Sequence, residues 1–174
     1  MASPSSPLAD LLAAALAARG ALLAQLAAEE TTAYRLFHGS VEGAPGLTVD
    51  RYGDLLLVQS FHTALAADEL AELEAFYATA LSGLTAIYND RSQGNSRIGN
   101  RLSPAQQAQA EAPREFQELG IHYLFQARHG GQDPFLFLDL RAGRRRVLAE
   151  AAGKTVLNLF AYTCGIGVAA AKAG

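Results

Sequence analysis

At 174 residues, half of them hydrophobic and 18% charged, the chain is long enough to bury a core and too apolar to remain disordered. Its single cysteine, Cys164, excludes an internal disulfide framework and fits a reducing compartment, while His38, His62, His122 and His129 lack metal-ligand spacing, so no metal is expected. The net charge of −3 is uneven: residues 1–90 hold three basic and eleven acidic side chains, residues 91–174 eleven basic and six acidic. A basic second half is compatible with a polyanionic partner such as RNA, and equally with an ordinary solvated surface.

The chain opens with a Ser/Pro leader, in which Ser6 can cap a helix and Pro7 suits its first turn. Leu8, Leu11, Leu12 and Leu16 then share one helical face, as do Leu22, Leu23 and Leu26, and Gly20 divides the run into two helices. Asp10, Arg19, Gly20 and Gln25 interrupt this Ala/Leu stretch, so it reads as a packing helix and not a membrane span. No basic segment precedes it as in a secretory signal, which leaves a cytoplasmic location as the expectation.

From Tyr34 the period changes to two. Tyr34–His38 is expected to be a strand, residues 39–46 a glycine-bearing loop, and Leu47–Arg51 with Leu55–Phe61 a pair of strands around the Tyr52-Gly53-Asp54 turn. Ala64–Leu81 is a helix and Leu84–Asn89 another strand. The polar stretch Asp90–Pro113 reads as an exposed loop, either a solvated connection or an arm whose Arg91, Arg97 and Arg101 touch phosphate. Arg114–Glu118 and Ile121–Gln126 form a hairpin about Leu119-Gly120, and a Gly130-Gly131 turn leads to the apolar run Pro134–Leu138. Asp139–Ala152 is helical, Thr155–Phe160 is a buried strand, and Gly165–Gly174 starts a small-residue helix. The run Arg141-Ala-Gly-Arg-Arg-Arg146 is either an RNA-phosphate contact or a solvated helix face.

The chemistry concentrates in residues 156–171. An apolar strand enters a loop bearing Gly165 and Gly167, and Ala169–Ala171 follow, as in the first strand–loop–helix of a doubly wound fold. The spacing Gly-x-Gly-x-x-Ala suits a dinucleotide or S-adenosylmethionine, but the polar-aromatic segment Ala161-Tyr-Thr-Cys164 before the glycines makes a wider loop than a dinucleotide fingerprint has. Asn158 interrupts the apolar strand and needs hydrogen-bond partners if buried.

The run Asn158-Leu-Phe-Ala-Tyr-Thr163 with Gly165 resembles the first cofactor motif of the bacterial large-subunit ribosomal RNA methyltransferases that make 5-methylcytidine or 7-methylguanosine. In the same order, Arg35-Leu-Phe-His-Gly39 with residues 43–54 resembles the start of that family's central α/β domain, Tyr88-Asn-Asp-Arg91 its closing strand, and Phe135–Arg141 the lead into the catalytic domain. The chain departs from the family at Gln132-Asp-Pro134, where Lys-Thr-Gly is usual, and at Cys164, where glycine is usual. The resemblance implies that Asn158, Phe160, Tyr162, Thr163, Gly165 and Gly167 line S-adenosylmethionine, with Asp139 and Arg141 nearby as cofactor contacts or a structural pair. It implies no catalytic residue within the chain, whose family counterparts lie beyond Gly174, so the chain reads as an incomplete portion of the enzyme. Cys164 lies on the cofactor side of the methyl group, with no histidine near it in sequence, and is disfavoured as a nucleophile.

The fold expected is therefore α/β: an N-terminal helical segment (1–30), a central α/β domain with RNA as its candidate partner (31–127), and the truncated start of a doubly wound methyltransferase domain (128–174). The alternatives are a dinucleotide-dependent oxidoreductase and a non-catalytic RNA-binding module.

Overall fold

The computed structural model describes residues 7–130, 134–159 and 161–174. Ser6, Gly131, Gln132 and Phe160, which entered the sequence expectations, lie outside them. Two helices, α1 (Pro7–Ala18) and α2 (Gly20–Ala28), meet at a 52° bend, the division expected at Gly20. Strands β1 (Ala33–His38), β2 (Leu47–Tyr52) and β3 (Leu55–Ser60) form an antiparallel meander. Gly53 adopts φ +63° in the β2–β3 turn, the conformation for which glycine was expected there. Helix α4 (Ala67–Ala80) then crosses over to β4 (Thr85–Asp90), which pairs in parallel with β3 and completes a sheet of order β1-β2-β3-β4.

Both faces of this sheet are covered. Leu36, Val49, Leu56, Val58 and Tyr88 pack with Leu12 and Leu26 of α1 and α2 and with Leu73 and Tyr77 of α4. Their alternate neighbours Tyr52, Leu55, Leu57 and Ile87 pack on the opposite face with Ala110, Phe116, Phe125 and Leu136. Double coverage explains why β3 is buried at every position and is apolar without alternation from Leu55 to Val58. The N-terminal Ala/Leu stretch is thus a packing element, and no single described helix is long and apolar enough to cross a membrane.

The second face is built by the hairpin β5 (Arg114–Glu118)–β6 (Ile121–Phe125), which the Leu119-Gly120 turn closes with both residues at positive φ. Tyr52 stacks on Phe125 with centroids 4.1 Å apart and meets Phe116 edge-on at 5.4 Å. Each such pair adds about 0.5–1.5 kcal/mol beyond area burial. The Tyr52 hydroxyl donates to the Leu136 carbonyl at 3.1 Å, which fixes the Pro134–Leu138 run over the sheet. The hairpin is tied to the start of β1 where Thr32 N–H donates to the Gln117 carbonyl (2.8 Å) and Gln117 N–H to Thr32 Oγ1 (3.0 Å).

Three expectations are corrected. Residues 39–46 contain a helical turn, α3 (Gly39–Glu42), because Glu42 accepts the His38 N–H at 2.6 Å and also pairs with Arg19. The stretch 90–113 contains a 3₁₀ turn (Gly94–Ser96) and helix α5 (Pro104–Glu111). Ser103 and Gln106 form a capping box, with Pro104 at the start and Ala110 fully buried, a signal legible in the sequence. Thr155–Phe160 was expected to be a buried strand, yet its described residues form none: Val156, Leu157 and Leu159 are 44%, 81% and 67% exposed. A strand persists only where neighbours take its N–H and C=O groups, and among the described residues no strand pairs with this segment. The last elements, α6 (Arg141–Glu150), preceded by a 3₁₀ turn (Leu138–Leu140), and α7 (Gly165–Ala173), match the expected helices and pack on each other.

Candidate cofactor loop and adjoining cavity

Residues 161–164 form a tight loop before α7. The Cys164 N–H donates to the Ala161 carbonyl at 2.6 Å, the Val168 N–H to the Cys164 carbonyl at 2.8 Å, and the Thr163 hydroxyl to the Phe135 carbonyl. Tyr162 and Cys164 both hold the left-handed conformation, at φ 48° and 62°. Non-glycine residues there carry strain that packing must offset. Cys164 precedes the first turn of α7 without a side-chain cap, so the leading amides of the helix keep donors for a ligand.

Asn158, Tyr162, Thr163 and Gly165 come together around one cavity of about 300 Å³, shared with Phe137 and Leu140. Gly167 lies behind Asn158: a Cβ there would stand 3.0 Å from Asn158 Nδ2, and one at Gly165 would stand 2.8 Å from Leu136 Cδ1. At both positions a side chain would crowd a neighbouring residue of the protein itself. Phe137 was not singled out in the sequence; its place in the apolar run just before α6 was the available signal. Its ring lies 5.5 Å from that of Tyr162. Phe160 lies outside the described residues.

Asp139 and Arg141 part company. Arg141 Nε donates to Glu118 Oε2 at 2.9 Å and Nη2 to the Ala33 carbonyl, which joins α6 to the hairpin and to β1. Asp139 instead lines a second cavity of about 370 Å³, together with Arg35, Asp50, Gln59, Arg91 and Phe137. Phe137 therefore borders both spaces. In the second, Arg35 grips Asp50 with two hydrogen bonds of 2.7 and 2.9 Å. Burial raises the Asp50 carboxyl above its ordinary value, an effect that the Arg35 guanidinium only partly offsets, while the same bonds raise Arg35.

The arginines read from the sequence as candidate phosphate contacts are mostly committed to protein partners. Arg144 is buried on Glu118, Arg145 pairs with Glu29, and Arg146 pairs with Glu150 one turn on. Arg91 is buried, with Nη1 donating to Gln59 Oε1 at 3.2 Å and its guanidinium 5.1 Å over the Phe61 ring. Arg97 and Arg101 are exposed. Among the described residues no group of three or more His, Cys, Asp or Glu side chains could hold a metal ion.

A family model described as S-adenosylmethionine-dependent methyltransferase matches residues 34–174. A ribosomal RNA large subunit methyltransferase of Deinococcus radiodurans is 34% identical over 167 residues, covering 94% of this chain and 41% of that protein. Ribosomal RNA large subunit methyltransferase I of Shewanella denitrificans is 36% identical, covering 82% of this chain and 36% of that protein. A solved structure from Streptococcus mutans, described as a SAM-dependent methyltransferase, superposes with a TM-score of 0.73 at 29% identity, over 99% of this chain and 44% of that one. A second methyltransferase structure, SMU.776 complexed with S-adenosylhomocysteine, superposes at 0.72 with 28% identity, over the same shares. The chain thus spans less than half the length of each of these proteins. With a family model matching residues 34–174, the chain belongs to the S-adenosylmethionine-dependent methyltransferase family.

Proposed function

We propose that the whole protein transfers the methyl group of S-adenosylmethionine to a base of large-subunit ribosomal RNA. The observation that carries this reading is the loop cavity, where Asn158, Tyr162, Thr163 and Gly165 converge in front of the uncapped start of α7. The names of the relatives support the ribosomal substrate. In this reading the first amides of α7 meet the carboxylate of the cofactor's amino acid part, an anion suited to a helix N-terminus. Asn158 and Thr163 supply further polar contacts, and the rings of Phe137 and Tyr162 offer apolar surface. Gly165 and Gly167 keep the backbone free of side chains that would push Leu136 and Asn158 out of place. When bound, S-adenosylmethionine supplies an electrophilic methyl on sulfonium, and the residues of this chain contribute by position, holding it in line with the incoming base.

We also read the chain as an N-terminal helical segment (1–30), a central domain (31–127) that contacts RNA, and the start of the cofactor domain (128–174). Exposed Leu157 and Leu159 support the reading of residues 128–174 as the start of a larger domain, since apolar residues at strand spacing invite neighbouring strands. The test is calorimetric titration of S-adenosylhomocysteine and NAD into the whole protein. Binding of adenosylhomocysteine alone is the expected result; binding of NAD in its place would overturn the reading.

A further inference from the structure

Residues 134–137 belong to no helix or strand, so no ladder takes up their backbone groups. Three consecutive carbonyls of this strap instead accept hydrogen bonds from side chains of three different parts of the fold. The Thr163 hydroxyl, in the loop before α7, donates to Phe135; the Tyr52 hydroxyl, at the end of β2, donates to Leu136 at 3.1 Å; Arg144 Nη1, in α6, donates to Phe137 at 2.9 Å. Phe135, Leu136 and Phe137 all line the cofactor-loop cavity. Of the three donor residues, Thr163 and Arg144 line it as well, and Tyr52 does not.

Tyr52 is nevertheless the most firmly held of the three. It is 1% exposed, stacked on Phe125 at 4.1 Å and met edge-on by Phe116 at 5.4 Å. Burial, and then the Asp50 carboxylate, push its phenol well above the ordinary value of 10, so the hydroxyl stays protonated and remains a donor. On the far side of the strap, the Leu136 side chain is 3% exposed and abuts Gly165, where a Cβ would stand 2.8 Å from Leu136 Cδ1. Gly165 is the first residue of α7 and lines the cavity. A single residue, Leu136, thus separates the sheet from the start of that helix.

We propose that Tyr52 is a positioning residue for S-adenosylmethionine: its hydroxyl sets the place of the Leu136 backbone, and the Leu136 side chain sets the place of Gly165 and the leading amides of α7. The inference rests on the cofactor reading of the loop and deepens it. It makes the central sheet part of a site whose lining residues all lie between 135 and 166. Without the hydroxyl, the Leu136 carbonyl loses a buried donor, and a strap with no ladder of its own moves to find another. Close packing carries that movement to Gly165, because buried neighbours leave little slack between them.

The test compares three variants of the whole protein with the parent, by calorimetric titration of S-adenosylhomocysteine and by the amide resonance of Gly165 in nuclear magnetic resonance spectra. Tyr52→Phe removes one oxygen and keeps the stack on Phe125. It should weaken binding at least fivefold and displace the Gly165 resonance before any ligand is added. Leu136→Val keeps the carbonyl but trims the side chain that meets Gly165, and should weaken binding at least threefold. Tyr88→Phe is the matched control, since it also removes a buried tyrosine hydroxyl from the sheet. That hydroxyl bonds to Ser60 Oγ at 2.7 Å and to the Leu65 N–H at 2.8 Å, on the face turned away from the strap. Its loss should lower the melting temperature and leave both the affinity and the Gly165 resonance unchanged.

Parental affinity in Tyr52→Phe or in Leu136→Val would overturn the proposal, as would an equal loss in Tyr88→Phe, which would mark the hydroxyl as serving folding alone. If Tyr52→Phe does not fold, the Leu136→Val arm decides, with the same control. In all these cases binding by the parent leaves the cofactor reading intact. Failure of the parent to bind adenosylhomocysteine would instead overturn that reading, and the proposal with it.

Discussion

Arg144 of α6 and Glu118 of β5 form an ion pair with side-chain exposures of 2% and 1%, in which Arg144 Nη2 donates to Glu118 Oε2 at 2.9 Å. Arg141 donates to the same carboxylate, and Arg144 Nη1 also donates to the Phe137 carbonyl at 2.9 Å. One buried glutamate thus fastens the hairpin to the helix that follows both candidate cavities, and the backbone of Phe137 is held by that clasp. Charges this deep tolerate burial only when every partner is present.

Glu118→Ala should therefore destabilise the protein by about 3–5 kcal/mol, because two arginines lose their counter-charge, one of them fully buried. Urea unfolding followed by circular dichroism measures the loss. The double variant Glu118→Leu/Arg144→Met should recover most of it, since an apolar pair of similar volume is often as stable as the ion pair it replaces. A loss below about 1 kcal/mol would mean that the clasp is dispensable.

Cys164→Gly should stabilise the protein by about 0.5–1 kcal/mol. Cys164 sits at φ 62° and is exposed, so glycine relieves backbone strain and sacrifices no packing, with part of the gain offset by a freer unfolded chain. Thermal melting reads the shift; a lower melting temperature would show that the thiol makes a contact of its own.

Gly165→Val and Gly167→Val should each weaken S-adenosylhomocysteine binding at least tenfold, about 1.4 kcal/mol or more. The added carbons would stand against Leu136 and Asn158, two residues that line the cavity. Gly20→Ala, where a Cβ meets nothing, is the matched control and should leave affinity unchanged. Equal affinity in all three variants would remove the loop from the binding site.

The Glu29–Arg145 pair sets a pH dependence. Hydrogen bonds from Arg145, and then from Gln25, hold the Glu29 carboxyl below its ordinary value of 4.5. A carboxyl lowered in the folded state binds protons more readily when unfolded, so its stabilisation is present above pH 4.5 and fades as the pH falls through the lowered value. Glu29→Gln should flatten that part of the stability curve below pH 4.5, with Arg145 charged throughout. An unchanged acid limb in unfolding curves would show that the pair contributes nothing measurable.

Much of the architecture was legible in the chain itself. Apolar runs and turn residues located β1 to β6, Gly20 marked the break between α1 and α2, and Gly53 marked the turn, because each depends on local sterics and on which side chains avoid water. The candidate loop before α7 was singled out on the same local grounds, since glycine spacing and a polar-aromatic segment are written in consecutive residues. Helix α5 was also visible in its Ser103–Gln106 box, a local signal that the polar composition of its surroundings masked.

What consecutive residues do not encode is pairing across the fold. The sequence shows Arg141, Arg144 and Arg145 as one basic run, and only the folded chain brings them to Glu118 of β5 and Glu29 at the end of α2. Asp139 and Arg141 stand two apart in sequence, yet the turn into α6 sends one to a cavity and the other to a clasp. Val156–Leu159 has the composition of a strand and none of its structure, because a strand is a property of its neighbours as much as of its own residues. Local preference and apolar periodicity are thus determined residue by residue, whereas charge partners, cavities and sheet membership are decided by which distant segments the tertiary fold brings together.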